Sequence, residues 1–276
     1  MLVVPLSKIQ IDILRVLSSQ RDAESYVAGS TPLNVVAPRI SGDIDIFHDR
    51  EERVVIAARN DCELLERHGY AVEWERREPT IQTVLVSREG LGTKLEWVAD
   101  SDYRFFPVVR SQIFGYMLHP VDMATNKSHA AVGRRELRDI VDLVTIHEAI
   151  LPLGPVIWAA VDKMPGFTPE GMISEIRRNS KYSKLDWADL KSTEPLDPIA
   201  IYSKLRAALD SAEAFVQQMP TSHVGLLFLK DNKVVQPDPA ALDQYQTHTG
   251  QRRGHWPSNA EIESAMLDHY KILRDS

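Results

Sequence analysis

Asp43 and Asp45 stand two residues apart in the run Asp43-Ile44-Asp45-Ile46-Phe47, where carboxylates alternate with apolar side chains. Such alternation marks a half-buried strand, and on a strand residues two apart point to the same side. Both carboxylates therefore face one way while Ile44 and Ile46 pack on the other. Two like charges held together are unfavourable unless something neutralises them, which a hard divalent cation bound through oxygen does. Asp43 and Asp45 are the first candidate metal ligands. Glu96, between Leu95 and Trp97 on a later strand, can project from the same face as a third. Three carboxylates suffice for two cations. In that arrangement one ion activates an attacking oxygen and the other steadies the leaving group of an in-line displacement at phosphorus.

Upstream lies Gly29-Ser30-Thr31-Pro32. Gly29 lets the backbone approach a ligand, and Ser30 with the amides of the next helix start offers donors where a phosphate chain would lie. Lys127, on a downstream helix, can place a cation on those phosphates or on developing charge. Asp139 can orient that lysine or help position an acceptor hydroxyl.

Each of these residues has a plainer reading. A carboxylate pair on a strand is commonly a solvated face; the Gly-Ser turn at this spacing reverses that preference. Glu96 on an edge strand would simply face water. Asp139 would pair with Arg135 four residues earlier. Arg177, Arg178, Lys181 and Lys184 form a second basic patch that reads as solvated surface. None of the 9 histidines makes a zinc-protease pattern, and His48 reads as a helix-start residue. Cys62, the one cysteine, sits on the apolar side of a helix near Leu64 and Leu65 and reads as a structural thiol.

Several elements must hold these groups. A capping box at Ser7-Lys8-Ile9-Gln10 starts a helix with Ile9, Ile13, Val16 and Leu17 on one face. Ser25 to Ala28 is a short strand, and Leu33, Val35 and Val36 belong to a short helix. Asp49 to His68 is a long helix ending at Gly69. Tyr70 to Arg76, Thr80 to Ser87 and Thr93 to Ala99 read as strands, the last two joined through Glu89-Gly90-Leu91-Gly92. Ile113 to Leu118 reads as a further strand, and helices follow from Pro120 and over Leu137 to Ile150. From about Leu153 the chain is mainly helical: one helix starts at Thr168-Pro169-Glu170, another spans Pro198 to Met219, and a last one starts at Ser258-Asn259-Ala260-Glu261. Val224 to Val235 is a hairpin around Asp231-Asn232. The expected division is 1–150, α+β and carrying the site, and 151–276, mainly helical and walling the cleft.

The 276 residues allow a sizeable core in two such units. A net charge of -7 provides no global field for a long nucleic acid, so binding one needs a local basic patch. A single cysteine excludes an internal disulfide framework and fits a reducing compartment, with the cytoplasm as the default. No apolar run approaches the roughly 20 residues of a spanning helix, and the apolar opening Met1 to Pro5 is too short for a secretory core.

Taken together, Ala28-Gly29-Ser30, then Arg39-Ile40-Ser41-Gly42-Asp43-Ile44-Asp45-Ile46, then Asn126-Lys127 and Arg134-Arg135-Glu136-Leu137-Arg138-Asp139-Ile140-Val141-Asp142-Leu143 resemble, in order, the motifs of nucleotidyltransferases of the DNA polymerase beta type, and within them the AbiEii/AbiGii toxin family. The resemblance spans roughly residues 25 to 145. Ala28 departs from it, since many members carry a second glycine there. It implies a polymerase beta-type α+β domain, magnesium (or manganese) as cofactor, a nucleoside triphosphate donor, and catalytic roles for Asp43, Asp45, Lys127 and Asp139. It also implies a toxin of a toxin-antitoxin system, with an RNA such as the tRNA acceptor end as acceptor and a cognate antitoxin as partner. Two alternatives stay open: transfer to a small-molecule hydroxyl of the antibiotic kind, and a non-catalytic protein that only binds nucleotide or a partner.

Overall fold

The computed structural model describes residues 6–35 and 37–252. The expected helix start at Ser258 and the apolar opening at Met1 to Pro5 lie outside them.

Helix α1 (Lys8–Leu17) begins with the capping box read from sequence: Ser7 N–H donates to Gln10 Oε1 at 2.9 Å and Gln10 N–H to Ser7 Oγ at 3.4 Å. Strand β1 (Ser25–Ala28) follows, then a single tight helical turn at Leu33–Val35, then β2 (Asp43–His48). Helix α2 (Glu51–Arg67) buries Val54, Ala58, Cys62 and Leu65, a stripe spaced by three and four residues that α-helical periodicity places on one face. Glu51 and Glu52 in its first turn complement the positive end of its dipole.

Strands β3 (Ala71–Glu78), β4 (Ile81–Arg88) and β5 (Leu91–Ala99) form an antiparallel meander. The β4–β5 turn is shorter than the sequence suggested. Glu89 and Gly90 both take positive φ, 54° and 77°, which makes a two-residue primed turn, and Leu91 and Gly92 join β5. The strand expected at Ile113 to Leu118 is a small hairpin, β6 (Val109–Ser111) with β7 (Gly115–Met117).

The seven strands run in the order β3-β4-β5-β2-β1-β7-β6. The β2·β5 and β1·β7 pairs are parallel and the others antiparallel. Along β2 the buried residues Ile44, Ile46 and His48 alternate with Asp43, Asp45 and Phe47. His48 is thus a fully buried strand residue on the core face, not the start of a helix. β5 lies between β4 and β2, so Glu96 is in the sheet interior rather than on an edge.

Helices α3 (Pro120–Gly133), α4 (Leu137–Ala149), α5 (Leu153–Ala160), α6 (Pro169–Asn179), α7 (Lys184–Ala188) and α8 (Pro198–Gln218) follow. α3 packs against α4, α5 and α6, and α8 against α4, α5 and α6. One continuous apolar core runs from Ile9 and Ile13 of α1 through the sheet to Phe215 of α8. The expected hairpin around Asp231-Asn232 is present as β8 (Leu227–Lys230) and β9 (Lys233–Val235), both turn residues having positive φ. A third strand, β10 (Gln246–His248), extends it; its polar Gln-Thr-His sequence gives no strand signal. Among the described residues, no single helix is long and apolar enough to cross a membrane.

Candidate active site

Strand β1 delivers Gly29 and Ser30 to the rim of a cleft of about 290 Å³, whose walls include Asp43, Asp45, Glu96, Lys127, Arg134 and Arg138. Gly29 has φ +66°, a left-handed conformation that disfavours other residues. A Cβ there would stand 1.9 Å from Asp45 Oδ2, so the carboxylate occupies the space a side chain would need. The cause is register: Ala28 pairs directly with Asp45 across the β1·β2 ladder. Thr31 Oγ1 donates to the Asp43 carbonyl at 2.9 Å and fastens the turn to the start of β2.

The three carboxylates lie as the strand pattern requires. Asp45 pairs with Glu96 on one rung of the parallel β2·β5 ladder, and Asp43 with Lys94 on another. Ser41 Oγ donates to Asp43 Oδ1 at 2.9 Å, and the Arg138 guanidinium is 3.6 Å from Oδ2. Thr83 Oγ1 donates to Glu96 at 3.2 Å from the neighbouring strand. Burial, reinforced by the charges of Asp43 and Glu96, pushes the Asp45 carboxyl up to about 7 against the opposing pull of Lys127 and Arg138. Among the described residues, no three acids, thiols or imidazoles are gathered closely enough to hold an ion as they stand. The donor set still suits a hard cation. It consists of carboxylate oxygens whose crowding raises Asp45, and a cation between them would relieve that crowding.

Opposite the acids, α3 and α4 supply a network that sequence alone did not define. Lys127 Nζ donates to Ser30 Oγ at 2.7 Å and pairs with Asp142 at 2.7 Å, while Asp139 is 3.7 Å away. Asp142 is fully buried and also receives Arg39 through Nε at 3.0 Å and Nη2 at 3.1 Å. Burial alone would push its carboxyl up; Lys127 and Arg39 together hold it below the ordinary range. Asp139 takes a two-pronged contact from Arg134, at 2.8 and 3.0 Å, rather than from Arg135.

The residues read from sequence as metal-binding, phosphate-binding or catalytic therefore line or border one cleft: Gly29, Ser30, Asp43, Asp45 and Glu96 on the sheet side, Lys127 and Asp139 on the helix side. Arg39 and Asp142 were missed as a pair, because 103 residues separate them. The available signal was the spacing of Asp139 and Asp142, three apart on one helix and hence on one face. Away from the cleft, Arg177 is taken up by Asp210 and Glu213, each at 2.8 Å, and Arg178 by Glu175. Burial pushes the Cys62 thiol up to about 12, unsuited to a nucleophile.

No protein-family model matches the chain, and no curated protein matches it in sequence. Among solved structures it is similar to MenT4, a nucleotidyltransferase toxin from Mycobacterium tuberculosis H37Rv, with a TM-score of 0.50 and 16% identity over 78% of this chain and 83% of that one. A provisionally assigned nucleotidyltransferase from H. pylori aligns with a TM-score of 0.44 and 13% identity over 77% of this chain and 98% of that one. The likeness to MenT4 is one of fold: a mixed sheet flanked by helices, in the manner of nucleotidyltransferases.

Proposed function

We propose that this protein is a metal-dependent nucleotidyltransferase of the AbiEii/AbiGii kind, moving a nucleoside monophosphate from a nucleoside triphosphate to an acceptor hydroxyl. One observation carries the reading: Asp43 and Asp45 share a face of β2 against the Gly29-Ser30 turn, with Glu96 on the adjoining strand. Residues 1–150 form the catalytic unit in this reading, and 151–276 a mainly helical wall.

Asp43, Asp45 and Glu96 would hold magnesium, or manganese in its place, which supplies Lewis-acid activation at phosphorus. Ser30 and the turn amides cradle the phosphates, and Lys127 presents its ammonium through Ser30 Oγ. Arg134 and Arg138 add positive charge on the cleft wall. The acceptor hydroxyl oxygen bonds to the α-phosphorus and gives up its proton to solvent as the bond from that phosphorus to the β-phosphate oxygen breaks, and pyrophosphate leaves. Asp139 is placed to help position the acceptor.

For the acceptor we favour RNA such as the tRNA acceptor end, with a cognate antitoxin as regulator. MenT4 is itself a nucleotidyltransferase toxin, and the arginines at the cleft give the local basic patch that an RNA requires. The net charge of -7 favours a second reading, a small-molecule hydroxyl. Incubating the protein with magnesium, each labelled triphosphate in turn, and either total RNA or a pool of small alcohols separates the two. Label in RNA supports the first, label in the small-molecule fraction the second, and label in neither removes both.

A further inference from the structure

The sheet face turned away from Asp45 holds a second polar cluster that nucleotidyl transfer does not use. His48 lies on that face with Ile44 and Ile46, and Ser25 of β1 is its cross-strand partner. Arg21 comes just before β1, and Asp61 reaches in from α2. Arg21 Nη2 donates to both Asp61 oxygens, at 2.7 and 2.5 Å, and Trp97 Nε1 donates to Asp61 at 2.7 Å.

Those bonds satisfy Asp61 and leave the rest of the cluster unmet. Nε and Nη1 of Arg21, Oγ of Ser25 and both ring nitrogens of His48 are buried without a hydrogen-bond partner. Buried polar groups are almost always paired, so the three orphaned atoms of Arg21 and Ser25, which unlike His48 belong to residues lining a cleft, point to an occupant. Arg21 and Ser25 line a cleft of about 320 Å³ between β1 and α2, together with Arg53, Asn60 and Asp61. The Arg21 side chain is only 2% exposed. The cleft is far larger than the roughly 30 Å³ share of one water molecule.

We propose that this cleft is a second binding site, for a small oxyanion of the phosphate type. The free Arg21 N–H groups and the Ser25 hydroxyl supply the donors, while Arg53 in the cleft wall is already paired with Asp22 at 2.7 Å and Glu24 at 3.2 Å. The Asp61 charge is engaged by Arg21 and Trp97, which lowers its opposition to an incoming anion. An apolar ligand would leave the donors unmet, and a metal cation would face the Arg21 guanidinium. The site lies across the sheet from the nucleotide cleft, so a triphosphate does not compete for it.

Equilibrium dialysis of the full chain against radiolabelled inorganic phosphate, at constant ionic strength, tests this with and without a non-hydrolysable triphosphate and magnesium. One saturable phosphate per chain is expected, and adding the triphosphate should not displace it. Arg21→Lys keeps a charge opposite Asp61 but loses the orphaned donors, and should weaken binding by about tenfold or more. Ser25→Ala should weaken it severalfold without lowering the unfolding midpoint. The proposal is overturned by a folded protein that takes up no phosphate, by uptake that the triphosphate displaces, or by uptake that both substitutions leave unchanged. Because the phosphate arm without triphosphate needs no catalysis, failure of the nucleotidyltransferase reading leaves its result intact.

Discussion

Lys127 is anchored by Asp142, 2.7 Å away, and stands 3.7 Å from Asp139. Asp142 also neutralises the buried Arg39, so one carboxylate holds two cations in the wall of the cleft. Asp139 spends its bonds on Arg134, a side chain 45% exposed.

These two aspartates should respond differently to substitution. Asp142→Ala breaks buried ion pairs and is expected to cost about 3–5 kcal/mol of stability. Asp139 is itself buried, but asparagine keeps its shape and its chief partner Arg134 is half-exposed, so Asp139→Asn is expected to cost less, about 1–3 kcal/mol. Urea unfolding of both variants measures this, and equal losses would contradict the assignment of Asp142 as the anchor.

Gly29→Ala should damage activity more than stability. The substitution forces a side chain into a left-handed backbone position and against Asp45 Oδ2. The backbone cost is about 1–2 kcal/mol, whereas displacing Asp45 by an ångström is expected to lower kcat/KM about 100-fold. Steady-state kinetics beside thermal unfolding of the variant separates the two effects.

Much of this site was legible in the sequence because strand alternation is a local rule. Asp43, Asp45 and Ile44 declare their faces from spacing alone, and Gly29-Ser30 declares a turn. The capping box at Ser7 and the stripe on α2 are equally local. Glu96 was harder, because whether it faced water or the cleft depended on β5 being an interior strand, and pairing order is a non-local property. The Arg39–Asp142 pair was out of reach for the same reason. His48 reads as a helix-start residue because it directly precedes the helical pattern from Asp49, while the alternation that puts Asp45 on one face of the strand already commits His48 to the other.

Glu96→Gln tests the third carboxylate. If Glu96 shares a cation with Asp45, the magnesium concentration for half-maximal activity should rise about 10- to 100-fold, with little change in the unfolding midpoint. A Glu96 that only faces water would leave the magnesium titration unmoved.

His48 should leave a signature in the pH dependence of stability. Burial and the charges of Arg21 and Arg53 hold its imidazole down to about 3, against an ordinary value of 6.5. The unfolded chain therefore binds a proton below pH 6.5 that the native chain refuses, and stability is lost as pH falls through that window. Relative to His48→Gln, the wild type should lose about 1.4 kcal/mol per pH unit below 6.5, or about 2 kcal/mol by pH 5. Urea titrations of both proteins at pH 7, 6 and 5 read this difference, and a constant difference would show that His48 titrates normally.

Pyrophosphate release by wild type and Asp45→Asn, with magnesium, the triphosphates and total RNA, tests the central claim most directly. The wild type should release pyrophosphate only when magnesium is present. Asp45→Asn should lose at least about 100-fold of that rate while unfolding at the same temperature or higher, since it removes a crowded charge. A folded Asp45→Asn protein that releases pyrophosphate at the wild-type rate, or a wild type that releases none with any triphosphate or acceptor, would contradict the account.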